Sequence, residues 1–130
     1  MTDKPGLIYS PLTLAYIGDA VFELLVRTHV LAADGNAQSS KMHKKSAAFV
    51  CAKAQSQAYF KLQGRLSEDE LQMLKRGRNA RSPTTAKNAS VSEYRHATGV
   101  EALFGYLYLD GRHERVAELF QIITGEDHGV

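Results

Sequence analysis

A run of mostly apolar residues from Leu12 to Ala33, opened by Ser10-Pro11 and closed by Asp34-Gly35-Asn36, limits most strongly what this chain can fold into. A serine accepts a hydrogen bond from a free first-turn amide, proline suits the first helical position, and glycine ends a helix. The run is therefore predicted to be a helix over about Pro11–Ala33. It is long enough to cross a bilayer, yet Asp19, Glu23 and Arg27 inside it are each expensive in hydrocarbon, so it belongs to a soluble fold.

The rest of the chain repeats this helical grammar. Ala37 to Leu62 holds mostly helix formers without proline or glycine, with Gly64 as terminator, which predicts a long and possibly interrupted second helix. Ser67-Glu68-Asp69-Glu70 and Ser90-Val91-Ser92-Glu93 are capping boxes, in which serine and glutamate satisfy each other's free amides. The first opens a short helix to about Arg76. The second opens one whose Val100, Leu103, Phe104, Leu107 and Tyr108 recur at helical spacing before Asp110-Gly111. A last helix is expected over about Arg112–Ile123, an irregular basic loop over Gly77–Ala89 and a loose tail over Gly125–Val130. No alternating run bounded by turn residues predicts a strand, so the fold class is all-α.

With 130 residues, 44% of them hydrophobic and 23% charged, and with no internal repeat or linker, the chain is expected to form one domain over residues 1–130. The single cysteine, Cys51, cannot make an internal disulfide, and the start MTDKPGLIYSP lacks the layout of a secretory signal. A cytoplasmic protein with no membrane partner is the expectation. A net charge of +2 says little about partners. Its distribution says more: Lys75, Arg76, Arg78, Arg81, Lys87 and Arg95 stand against the single acid Glu93 across that stretch, which predicts a local basic surface.

Asp19, Glu23 and Arg27 follow one another at four-residue intervals and share a helix face; this spacing fits a solvated stripe as well as a site. Thr98 and Glu101 similarly interrupt an apolar helix three residues apart. Two such helices crossing at the small residues Gly18 and Gly105 would bring Asp19 and Glu101 together, and acids withdrawn from water need a cation or a hydrogen-bond partner.

Tyr16-Ile17-Gly18-Asp19-Ala20-Val21-Phe22-Glu23 resembles the signature helix of the ribonuclease III family. Phe49-Val50-Cys51-Ala52-Lys53-Ala54 is similar to its second-helix segment, and Glu101-Ala102-Leu103-Phe104-Gly105 to its closing motif. Leu14-Ala15-Tyr16 and Tyr94-Arg95-His96-Ala97-Thr98 point to the Mini-ribonuclease III branch, and the resemblance covers residues 7 to 124. It implies an all-helical, homodimeric endonuclease domain without a separate double-stranded RNA-binding domain. The implied activity is Mg²⁺-dependent hydrolysis of double-stranded RNA to 5′-phosphate and 3′-hydroxyl ends, maturing precursor large-subunit ribosomal RNA, with a ribosomal protein as a further possible partner. The alternative is a ribonuclease III-like dimer that binds RNA without cutting it.

By the same resemblance, Asp19 and Glu101 are the metal ligands and catalytic residues. Thr98 is assigned to hold a ligand water and Glu23 a supporting role, while Ala15, Ala52 and Thr98 stand where the larger enzymes carry further carboxylates. Mg²⁺ keeps several waters and often takes only one or two protein carboxylates, so two acids are compatible with it. Duplex RNA is read through phosphates, sugars and shape. The residues expected to meet it are Lys75, Arg76, Arg78, Arg81, Thr84, Thr85, Lys87 and Asn88.

Overall fold

The computed structural model describes residues 4–81 and 90–125, and every element among them is a helix. The order is α1 (Pro5–Ile8), α2 (Pro11–Asp34), α3 (Ser39–Val50), α4 (Ala52–Gln63), α5 (Glu68–Asn79), α6 (Val91–Leu109) and α7 (His113–Thr124). Among the described residues no helix is long and apolar enough to cross a membrane. Thr84, Thr85, Lys87 and Asn88, with most of the expected basic loop, lie outside the described residues, as does the tail beyond Gly125.

The local start and stop signals act as the sequence predicts. Ser10 accepts a hydrogen bond from the Thr13 amide at 3.2 Å, and Gly35 closes α2 at a φ of 64°, a conformation that glycine adopts without strain. Ser90 accepts from the Glu93 amide at 3.0 Å to open α6. Ser67 and Glu70 form their box with the Ser67 amide donating to Glu70 Oε1 at 2.9 Å.

Helix α6 is the hub, packing against α1, α2, α4, α5 and α7, and its centre from Ala97 to Leu107 is buried except at Glu101. Phe22 of α2 meets Phe104 of α6 and Phe120 of α7 edge to face, at 5.4 and 5.8 Å between centroids. Helix α2 thus supplies core through Phe22 while Asp19 stays exposed.

The second helix, read as possibly interrupted, is interrupted, and one expectation is corrected. The break falls at Cys51, which sits in extended backbone (φ −66°, ψ 156°) as the end of α3 and the start of α4. The break lets α3 pack on α2 while α4 packs on α6, which one straight helix does not do. Gly77, Arg78 and Asn79 are helical, not loop, because α5 continues to Asn79. The reason is tertiary. Gly77 lies against Gly99 of α6 so closely that a Cβ there would stand 2.8 Å from the Gly99 Cα, and this contact outweighs glycine's poor helix propensity. Helix α1, unforeseen in the sequence, starts at a buried Pro5 and is tied down by Arg76, which donates to the Gly6 carbonyl at 3.1 Å.

The α5 start is held to α7 by ion pairs. Glu70, almost wholly buried, receives two hydrogen bonds from Arg115 at 2.9 Å each; burial works to raise its pKa, but Arg115 and the Ser67 amide hold it below the usual value. Arg115→Ala leaves that carboxylate buried without its main partner. The expected loss is about 3 kcal/mol in urea unfolding, and an unchanged midpoint would refute it.

Candidate functional site

The crossing of α2 and α6 builds the site. A Cβ on Gly18 would collide with the Glu101 carbonyl oxygen, and one on Gly105 with the Leu14 carbonyl oxygen. The two backbones therefore touch, and each helix places one acid beside the contact: Asp19 follows Gly18, and Glu101 precedes Gly105 by one turn. The two carboxyl groups lie close enough for each to act on the other's proton. Both line an open recess with Leu12, Ala15, Tyr16, Tyr94 and Thr98.

Asp19 is exposed, whereas Glu101 is half-buried and carries the electrostatic strain of the pair. Burial first, then the charge of Asp19 and the hydrogen bond to it, push the Glu101 carboxyl up from 4.5 to about 8, with Gln55 opposing. Because this pKa is raised on folding, the folded chain holds a proton that the unfolded chain releases. Stability in the absence of divalent ions therefore falls as pH rises from about 4.5 through about 8. Thermal unfolding across this range should show the decline in the native chain and not in Glu101→Gln; equal slopes would contradict it.

Of the site residues named from the sequence, Asp19, Thr98 and Glu101 line this recess. Ala15 and Thr98 line it, so the positions matched to further carboxylates present a methyl group and a hydroxyl. Thr98 is buried and donates to the Tyr94 carbonyl at 2.9 Å, which leaves its oxygen free to accept. Glu23 does not line the recess; it accepts from Arg27 Nε at 2.9 Å. Among the described residues no group of three or more His, Cys, Asp or Glu is placed to hold one ion.

On α4 the sequence reading missed a residue. Ala52 is not in the recess, but Gln55, one turn further on, is buried beside Glu101. The signal was available: Ala58, Tyr59 and Leu62 mark the inner face of α4, and stepping back one turn reaches Gln55.

The basic residues divide. Lys75 and Arg81 are exposed, and Arg76 is turned towards α1. Arg78 donates to the Tyr59 hydroxyl and to Asn79 Oδ1, both at 3.0 Å, and shares a second recess with Asn79, Val91, Ser92, Arg95 and His96. His96 packs against Tyr59 and Phe60; burial, then the Arg78 charge, lowers its pKa. This surface suits an anion.

Comparison with known proteins agrees with this geometry. A family model described as the Ribonuclease III domain matches residues 12–112, which includes both acids and both crossing glycines. A Mini-ribonuclease 3 of Brevibacillus brevis is 46% identical, over 97% of this chain and 96% of the relative. Another, of Clostridium tetani, is 44% identical over 92% of this chain and 86% of the relative. An X-ray crystal structure of a protein from Fusobacterium nucleatum superposes with a TM-score of 0.81 at 35% identity, covering 91% of this chain and 94% of that one. A helical hub that brings two acids together at touching glycines, found in a chain with these relatives, places it in the ribonuclease III family, in the Mini-ribonuclease 3 branch.

Proposed function

We propose that this endoribonuclease hydrolyses double-stranded RNA with a magnesium ion held by Asp19 and Glu101, acting as a homodimer in the cytoplasm on precursor large-subunit ribosomal RNA. The observation that carries the reading is the meeting of Asp19 and Glu101 across the α2–α6 contact. Two hard oxygen donors side by side in an open recess, with a threonine hydroxyl near and no further carboxylate, fit an ion that keeps most of its waters. When bound, such an ion polarises the scissile phosphate and lowers the pKa of a coordinated water.

The chain's own residues do the rest. Glu101 gives up its proton to become a ligand, so ion binding strengthens with pH up to about 8. Asp19, at the exposed rim, faces the incoming phosphate. The Ala15 methyl leaves room in the recess, and Thr98 offers its oxygen to a water. Arg78, Arg95, Asn79 and Ser92 share one recess and are suited to neighbouring phosphates and sugars of the duplex, with the exposed Lys75, Arg76 and Arg81 as further cations, and binding through them weakens steeply with salt. A water attacks phosphorus and the 3′-oxygen leaves, giving 5′-phosphate and 3′-hydroxyl ends.

Cutting both strands calls for two sites, which a twofold dimer provides. The outer face of α2 supports this assembly: Tyr16, Leu24 and Leu31 are 78, 68 and 54% exposed, an apolar stripe beside Asp19. The test of the function is incubation with duplex RNA at several magnesium concentrations and with a chelator. Expected are cleavage with the ion and none with the chelator. Tight, salt-sensitive binding without any product would favour the RNA-binding dimer instead.

A further inference from the structure

Gln55 is 1% exposed, on the face of α4 that packs against the hub helix, where apolar side chains are the rule. Burying an amide in such a place is costly unless its donors and acceptor are satisfied. Its Nε2 is out of contact with water and has no aligned hydrogen-bond partner in the protein. The same amide reaches the Glu101 carboxyl closely enough to favour its charged form. A buried, unpaired donor beside the Glu101 carboxyl is an expensive feature for a core to keep.

We propose that Gln55 is a positioning residue for the cation site: its amide, unpaired while Glu101 keeps its proton, donates to one Glu101 oxygen once that carboxyl is ionised on the ion, and so leaves the other oxygen to the ion and Asp19. This rests on reading Asp19 and Glu101 as the ligand pair. Hydrogen bonds to a ligating carboxylate fix its orientation, and their loss typically weakens metal binding about 10–100-fold. Being neutral, the amide does this without adding a third negative charge to the pair. A glutamate at the same position would supply acceptors only and would repel Glu101 until a cation was bound. The geometry also explains how a site with only two acids holds its shape, since α4 braces the one acid that is withdrawn from water.

The test is thermal unfolding titrated with Mg²⁺ and, separately, Mn²⁺, for the native chain, Gln55→Leu, Gln55→Glu and Asp19→Asn, with no RNA present. For Gln55→Leu the metal-free Tm should equal or exceed that of the native chain, because an apolar group of similar size replaces a poorly satisfied amide. Its apparent metal affinity should fall 10- to 100-fold. Gln55→Glu should have a lower metal-free Tm and a larger rise on adding metal. A lowered metal-free Tm in Gln55→Leu with native metal affinity would mean that the amide serves packing alone, and would overturn the proposal. Should Gln55→Leu fail to fold, Gln55→Glu decides, and a native-like metal response in it also overturns the proposal. If Asp19→Asn binds metal as the native chain does, the ligand-pair reading itself is wrong and this inference goes with it.

Discussion

Asp19→Asn and Glu101→Gln are each expected to cut magnesium-dependent cleavage of duplex RNA by at least about 10²-fold, the usual cost of removing one group that stabilises developing charge. Each change replaces a charged oxygen with an amide of almost the same shape, so the α2–α6 contact survives. The two variants should differ in stability. Glu101 is the acid withdrawn from water and pushed up to about 8, so Glu101→Gln removes a charge that the fold resists. Above pH 8, without divalent ions, Glu101→Gln should melt higher than the native chain while being inactive. Product yield on a defined duplex and a melting curve check the two halves. Retained cleavage in either variant would remove that residue from the mechanism.

The largest effect on stability is expected from Gly18→Ala and Gly105→Ala. The new methyl group meets a main-chain carbonyl in each case, on Glu101 for the first and on Leu14 for the second. Backbone in the middle of two long helices cannot step aside as a flexible side chain does, so the helices must separate. A loss of about 4 kcal/mol or more is expected, a large share of the roughly 5–15 kcal/mol available to a domain. Urea unfolding reads it directly. A variant with the native midpoint would show that the helices do not touch there. Because the same contact aims both acids, any variant that folds should also bind divalent ions weakly.

Features carried by a few neighbouring residues were legible in the sequence. Ser10-Pro11, Ser67 to Glu70 and Ser90 to Glu93 announced three helix starts because capping is local chemistry. The pairing of Asp19 with Glu101 was legible because glycines and acids sat together in recognisable motifs on two helices. Features decided by distant partners were not legible. Nothing near Cys51 announces a break; it follows from α3 and α4 having different partners. Gly77 looked like the start of a loop because its helical conformation depends on Gly99, which belongs to another helix. Gln55, by contrast, was within reach of the sequence, since Ala58, Tyr59 and Leu62 mark the inner face of α4 to which it belongs. Arg76 and Arg78 seemed one basic group in the sequence, but the turn of α5 sends the first to α1 and the second to α6.

The glycine crossing also bears on when the chain becomes active. Asp19 and Glu101 come from opposite ends of the polypeptide and meet only where α2 lies directly on α6. A chain still emerging from synthesis, or one whose closing helix has frayed, carries only half of the pair. With Asp19 and Glu101 as the proposed ligand pair, cutting power is expected to depend on completion of the whole bundle, leaving an unfinished copy harmless to the RNA around it.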